Sequence, residues 1–363
     1  MEALFYTLCL QHIPHLGPLK MAALIDQMGS AKNVLLFARQ HQYYGLNTFE
    51  TRAAFNNRDA LMQIAEAELT WARKNQINVI GLEDPSYPLL LKQIPDAPCV
   101  IFVKGHLPPS GQHTLALVGT RRPSDRANGH VKQILQAMQQ VQNTVVISGL
   151  AFGVDRMAHE QALTLKLPTW AVMGTGLNTV YPALHRALAH SILDQGGAWV
   201  SEQGHKSELH PGIFPKRNRI ISGLSEAVVV IESTCKGGSM ITARLAQEYN
   251  REVFALCGRP DDSKASGCHA LIKNHTAQLI ESGQDIIQAM QWNKSPQNYN
   301  PPQREPHLTF KNIWNLFLKQ DCWSIEALYD TEVENAATIA EALFYLESEY
   351  FIKSLPGARF QRI

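Results

Sequence analysis

The sequence contains no Cys-x-x-Cys pair. Its six cysteines, Cys9, Cys99, Cys235, Cys257, Cys268 and Cys322, are scattered along the chain. That spacing fits neither a disulfide framework nor a zinc site, and Cys257 with Cys268-His269 is not read as a metal-ligand set. No apolar run approaches the ~20 residues of a spanning helix, which argues against a membrane protein. Met1-Glu2-Ala3 begins no basic region followed by an apolar core and a cleavage site, so no secretory signal is expected. The chain reads as cytoplasmic with reduced thiols. A Gly-x-Gly-x-x-Gly run is missing after the first regular strand, which disfavours a dinucleotide enzyme. Neither charge sign dominates: the formal net charge is +1, so any polyanion affinity must come from how the charges are distributed.

A length of 363 residues is too great for one compact core, so two or three domains are expected. One stretch stands out. Phe214-Pro215-Lys216-Arg217-Asn218-Arg219 packs three cations into four residues, and no acid lies between Glu208 and Glu226. It leads into Ala227-Val228-Val229-Val230-Ile231, an apolar run of the kind that fills a buried parallel strand. Guanidinium groups donate bidentate bonds to phosphate. A solvated basic helix turn is the plain alternative.

The first 72 residues read as a small helical domain. Leu8, Ile13, Leu16, Leu19, Leu24 and Ile25 keep roughly helical spacing around Pro14 and Gly17-Pro18. The pattern resembles a helix-hairpin-helix (SAM-like) unit, and a domain that only packs on its neighbour is the alternative. Residues 75–290 then alternate short apolar strands with helices, which specifies an α/β domain with a doubly wound parallel sheet. Expected strands include 115–119, 145–148, 171–174, 198–200, 228–231 and 253–256. In such a sheet ligands sit beyond the carboxyl ends of the strands. The loops there are Gly119-Thr120-Arg121-Arg122, Ser148-Gly149 through Asp155, Gly174-Thr175-Gly176 and Lys236-Gly237-Gly238-Ser239. Small residues and hydroxyls let phosphate approach backbone amides. Asp155 reads as a loop-fixing residue rather than a catalytic acid. His159, His185, His205 and His210 show no ligand spacing.

Taken together, Val118-Gly119-Thr120-Arg121, Ser148-Gly149-Leu150-Ala151-x-Gly153-Val154-Asp155, Gly174-x-Gly176-Leu177, Tyr181-Pro182, Ser201-Glu202, Phe214-Pro215-x-Arg217-Asn218-Arg219 and Gly238-Ser239-x2-Thr242-Ala243 resemble, in order, the signature series of the bacterial DNA-processing protein A family (DprA, also called Smf). The resemblance implies a Rossmann-like fold and a homodimer that binds and protects single-stranded DNA in natural transformation. It also implies loading of the RecA recombinase on that DNA, with no catalysis and no cofactor. Single-stranded DNA-binding protein is a further candidate partner. Carried over, Arg121, Arg122, Lys216, Arg217, Asn218 and Arg219 fall on the DNA-binding pocket, and Gly119, Thr120, Ser148, Gly149, Gly238 and Ser239 on its phosphate-facing loops. Leu271 and Ile272 fall where the family dimerises. His185, Cys257-Gly258-Arg259 and Asn274 to Ala277 depart from the family pattern.

Residues 291–306 are rich in proline and amides and read as a linker. Residues 307–363 show amphipathic helices around Ile313, Ile325 and Ile339 and a hairpin about Pro356-Gly357, the pattern of a winged helix. Winged helices commonly bind duplex DNA through their third helix. Here residues 321–350 hold eight acids and no Lys or Arg, a charge of −8 that leaves +9 for the rest of the chain. Such a helix is repelled by phosphate, so the domain reads as a protein-contact module. The alternative function is a nucleotide-binding or nucleotide-hydrolysing enzyme on a related sheet. Leu245 stands where that enzyme's loop needs an acid, which weakens the reading.

Overall fold

The structure, a computed structural model, describes residues 2–37, 48–292, 306–331, 333–349, 351–355 and 358–362. Most of the 291–306 linker and the Pro356-Gly357 turn lie outside the described residues. The chain divides into two compact units, Met1–Asn293 and Lys294–Ile363.

The first unit begins with helices α1 (Glu2–Gln11), α2 (Pro18–Met28), α3 (Ala31–Phe37), α4 (Phe49–Asn56) and α5 (Arg58–Lys74). Leu8, Leu10, Leu24 and Leu35 from these helices pack in one cluster with Phe102 and Trp199 of the sheet. The elements that follow are β1 (Asn78–Gly81), α6 (Leu89–Lys92), β2 (Val100–Gly105), β3 (His113–Val118), α7 (Ala127–Met138), β4 (Thr144–Ser148), α8 (Val154–Thr164), β5 (Thr169–Val172), α9 (Arg186–Asp194) and β6 (Ala198–Ser201). Then come α10 (Ile213–Leu224), β7 (Ala227–Val230), α11 (Gly238–Glu248), β8 (Glu252–Leu256), α12 (Ser266–Lys273), β9 (Gln278–Ile280) and α13 (Gly283–Met290).

The nine strands form one sheet in the order β1-β2-β6-β5-β4-β3-β7-β8-β9. Pairs from β6 to β9 are parallel, with Leu115 opposite Val146 and Leu117 opposite Val229. The expectation of a wholly parallel sheet is corrected at one edge, where β1–β2 and β2–β6 are antiparallel. An apolar run such as Val100–Val103 encodes burial but not direction; direction follows from where the chain crosses over. From β3 the chain winds outward through β4, β5 and β6, then returns to place β7 on the other side of β3. Strand order therefore reverses between β3 and β7, the topological switch point where such sheets open a crevice.

Helix α10 carries the basic stretch. Ile213, Ile220, Ile221 and Leu224 are buried at helical spacing, and Pro215 is tolerated in a first turn. The second unit contains α14 (Lys311–Lys319), β10 (Cys322–Ser324), α15 (Ile325–Tyr329), α16 (Ala336–Ser348), β11 (Ile352–Leu355) and β12 (Arg359–Arg362). Its sheet order is β10-β12-β11, and Ile313, Phe317, Leu328, Ile339 and Leu346 form its own core. The side chain of Asn335 caps α16 by accepting from the Thr338 amide at 3.0 Å.

Candidate nucleic-acid interface

The loop after β3 is held rigidly. The Thr120 amide donates to the Glu232 carbonyl at 2.7 Å, and the Val154 amide donates to the Thr120 carbonyl at 3.2 Å. The buried Glu232 carboxylate accepts from the Ser124 amide at 2.8 Å and from the Ser124 hydroxyl. This clamp, from the end of β7, leaves Arg121 and Arg122 exposed at the switch point. The Arg121 guanidinium lies over the Phe214 ring, 5.6 Å from its centroid, so a cation of the loop after β3 meets an aromatic face from the first turn of α10. Lys216 and Lys236 are also exposed. Among the described residues, none of Arg121, Arg122, Lys216 and Lys236 has a carboxylate within 4.0 Å. Their charge is directed to solvent.

Arg217 and Arg219 are placed differently, and here the structure corrects the sequence reading. Helical rotation turns both inward, and each is buried. Arg217 donates to the carbonyls of Gly149 and Val172, the latter at 2.5 Å, and its Nε donates to Asn218 Oδ1 at 3.2 Å. A Cβ at position 149 would stand 2.5 Å from the guanidinium, so Gly149 is required for this close approach. Burial lowers the Arg217 pKa, opposed by the charge of Asp155; burial raises the Asp155 pKa, opposed by Arg217. Asp155 also accepts from the Ala151 amide at 3.4 Å, which is the loop-fixing role expected of it. Arg219 is bonded to the Glu202 carboxylate and the Asp96 carbonyl. Neither arginine is a free phosphate donor. They pin α10 to the ends of β4, β5 and β6.

The remaining predicted residues divide similarly. Gly119 leaves room for Val154 and the Glu232 carbonyl rather than for a ligand. Ser148 is buried and donates to the Leu117 carbonyl at 2.7 Å. Ser239 is buried and donates to Ser233 Oγ at 2.8 Å. Thr120 Oγ1 accepts from the Arg122 amide at 3.2 Å, shaping the arginine loop. Asn218 donates to the carbonyl of the exposed Gly238, at 3.4 Å. Leu271, expected at a dimer interface, lies in the core, and Ile272 packs partly against it. The face of α12 that bears Leu271 serves the sheet.

Several positioning residues escaped the sequence reading. Glu68 on α5 is buried and accepts from His12 Nε2 at 2.8 Å and from the His205 amide at 2.7 Å. Burial pushes its pKa up, but bonds from His12 and His205 outweigh that and hold it below the usual carboxylate value. Gln11 donates to the Glu202 carbonyl at 2.6 Å. The N-terminal helices thus brace the loop that leads into α10. These partners are far apart in sequence, and no local signal announces them.

The family model described as DNA recombination-mediator protein A matches residues 78–291. The chain belongs to the DNA recombination-mediator protein A family. It is similar to Protein Smf of Escherichia coli (strain K12), 33% identical over 299 residues that cover 80% of this chain and 79% of that protein. It is also similar to the solved structure of DNA processing protein A (DprA) from Streptococcus pneumoniae. That match has 31% identity and a TM-score of 0.63, covering 78% of this chain and 95% of that one. The structure of DNA processing protein A from Helicobacter pylori, described for its unique single-stranded DNA binding mode, matches with 28% identity and a TM-score of 0.52. It covers 60% of this chain and 96% of that one. The span matched by the recombination-mediator family contains every strand-end residue described above. Helices α1 to α5 and the second unit lie outside it.

Proposed function

We propose that the chain binds single-stranded DNA across the carboxyl edge of β3, β4, β5 and β7 and presents it to the RecA recombinase, without catalysis. One observation carries the reading: exposed, unpaired Arg121, Arg122 and Lys216 surround the switch point, with the Phe214 ring beneath Arg121. Cations that track a backbone beside an aromatic face are what sequence-tolerant single-strand binding needs. The Helicobacter pylori relative, described as a single-stranded DNA binder, supports it. The enzyme alternative is weaker. Leu245 replaces the acid its loop requires, and Glu248 is exposed and paired with Arg244 at 3.5 Å.

Titration by fluorescence anisotropy is expected to show tighter binding of single strands than of duplex, with little sequence preference. The log–log salt slope should be about −0.7 per phosphate neutralised. Arg121→Ala should lose roughly tenfold to a hundredfold in affinity, the value of one charge-assisted donor, with an unchanged melt. Equal affinity for duplex, or binding indifferent to salt, would refute the reading.

A homodimer belongs to the same proposal. With Leu271 inside the core, Leu279 of β9, 43% exposed, offers apolar surface at that edge of the sheet beside the partly buried Ile272. The second unit, by its order of helices and three-strand sheet, fits a winged helix. Its α16 presents the exposed Glu341 and Phe344, the latter 75% exposed, where a duplex reader needs cations. We assign it a protein-contact role in the cytoplasm. A fragment of residues 305–363 should fail to shift duplex DNA at physiological salt, and micromolar duplex binding by it would overturn that role.

A further inference from the structure

The Arg121 loop also borders a cavity of about 630 Å³. Arg121, Arg122, Asn128, Phe152, Gly153 and Arg156 are among the residues that line it. Phe152 is 41% exposed, an unusual exposure for a phenylalanine beside three arginines. Its ring is nevertheless held: it meets the buried His185 ring edge-to-face, with centroids 4.9 Å apart. His185 in turn is anchored, its Nδ1 lying 2.7 Å from the Leu150 carbonyl. The Phe152-Gly153 turn also presses on the arginine loop. Gly153 has φ +79°, and a Cβ there would come within 2.8 Å of the Arg121 Cα. Arg121 therefore lies over the Phe214 ring and also lines the cavity that Phe152 borders.

We infer that this cavity is a second nucleotide subsite, in which the next base of a single strand stacks on Phe152 while Arg121 and Arg122 hold the intervening phosphate. The inference rests on the single-strand reading proposed above and extends it. A volume of this size suits a nucleotide. A rigid, half-exposed ring gives a stacking face without ordering cost, and every base has a face to offer it. The charge distribution selects a strand over a free nucleotide. Arg156 is engaged by Glu160 at 2.7 Å, and that carboxylate lines the cavity. A single phosphodiester charge is accommodated by Arg121 and Arg122, whereas a di- or triphosphate would also face Glu160.

The test uses the full chain and oligothymidylates from about 4 to about 16 nucleotides, the range a single-strand site spans. Phe152→Ala should match the parent on the shortest strand and bind the longest about tenfold more weakly, flattening the length dependence. Phe152→Trp should restore it, and its fluorescence should be quenched by long strands and not by thymidine monophosphate or ATP. If Phe152→Ala follows the parent at every length, or loses equally at every length, there is no second subsite. Quenching by micromolar mononucleotide would make this a free-nucleotide site and overturn the inference. A parent that binds no oligonucleotide would instead overturn the single-strand reading itself, so the two failures are distinguishable.

Discussion

Arg217→Ala is expected to lower the melting temperature of the first unit by on the order of 10 °C, while Arg121→Ala leaves it unchanged. Arg121, on the loop after β3, and Arg217, on α10, border one site, yet their surroundings are opposite. Arg121 is exposed and faces a ring and solvent. Arg217 is buried, satisfies the carbonyls of Gly149 and Val172, and is the counter-charge for the buried Asp155. Its removal leaves two buried carbonyls without their charged donor and Asp155 without the nearby opposite charge, a loss of about 3–5 kcal/mol. At about 2–4 °C per kcal/mol for a domain of this size, the melt moves accordingly. Gly149→Ala should produce a similar loss, because its Cβ would occupy the guanidinium's place. Single-strand affinity measured well below the melt should suffer less in Arg217→Ala than in Arg121→Ala. An Arg217→Ala protein that melts with the parent but no longer binds DNA would reverse the assignment and make Arg217 a phosphate contact.

The contrast explains what could be read in the sequence. Strands such as Leu115–Val118 and Val228–Val230 were legible because both faces of a central parallel strand are covered, so every side chain is apolar. β9 was not, since a three-residue edge strand with only Ile280 buried leaves no run. The reversed direction of β2 was illegible for the reason given above. The site was half legible. Lys216, Arg217 and Arg219 look like one cationic cluster when read linearly, but a helix turns about 100° per residue and separates them. One signal was available: Arg217 lies four residues after Ile213 and four before Ile221, on the buried stripe of α10. Arg219 was carried onto the DNA-binding pocket with its neighbours, but it faces inward to the Glu202 carboxylate, a partner seventeen positions away that no local signal announces. Glu202 itself was quoted only as part of a motif. The arginine loop was the more legible half, because its cations directly follow the end of β3 and no acid lies between Asp96 and Asp125.

The stability of the first unit is expected to fall as pH drops below about 6.5, and His159 is expected to carry part of that loss. His159 is fully buried on α8. Its Nδ1 lies 2.7 Å from Thr169 Oγ1, and that hydroxyl donates to the Val146 carbonyl at 2.8 Å. The hydroxyl oxygen therefore accepts from Nδ1–H, and the neutral tautomer leaves Nε2 bare and without a partner. Burial, then the nearby charges of Arg217 and His185, pull the His159 pKa down to about 3 from an ordinary 6.5. The unfolded chain takes up a proton below 6.5 that the folded chain refuses until about 3. Folding is then disfavoured progressively across that window, by about 1.4 kcal/mol per pH unit from this group. Glu68 acts in the same direction at lower pH. Its pKa is held below the ordinary 4.5, so its contribution is present above that value and lost as pH falls through the folded pKa. The interval between pH 6.5 and 4.5 therefore separates the two. Melting curves of the parent and of His159→Gln across it should show a shallower pH slope for the variant, whatever its stability at neutral pH. Parallel slopes would mean that His159 is protonated in the folded protein, and its buried environment, closed to a proton and flanked by Arg217, would be wrong.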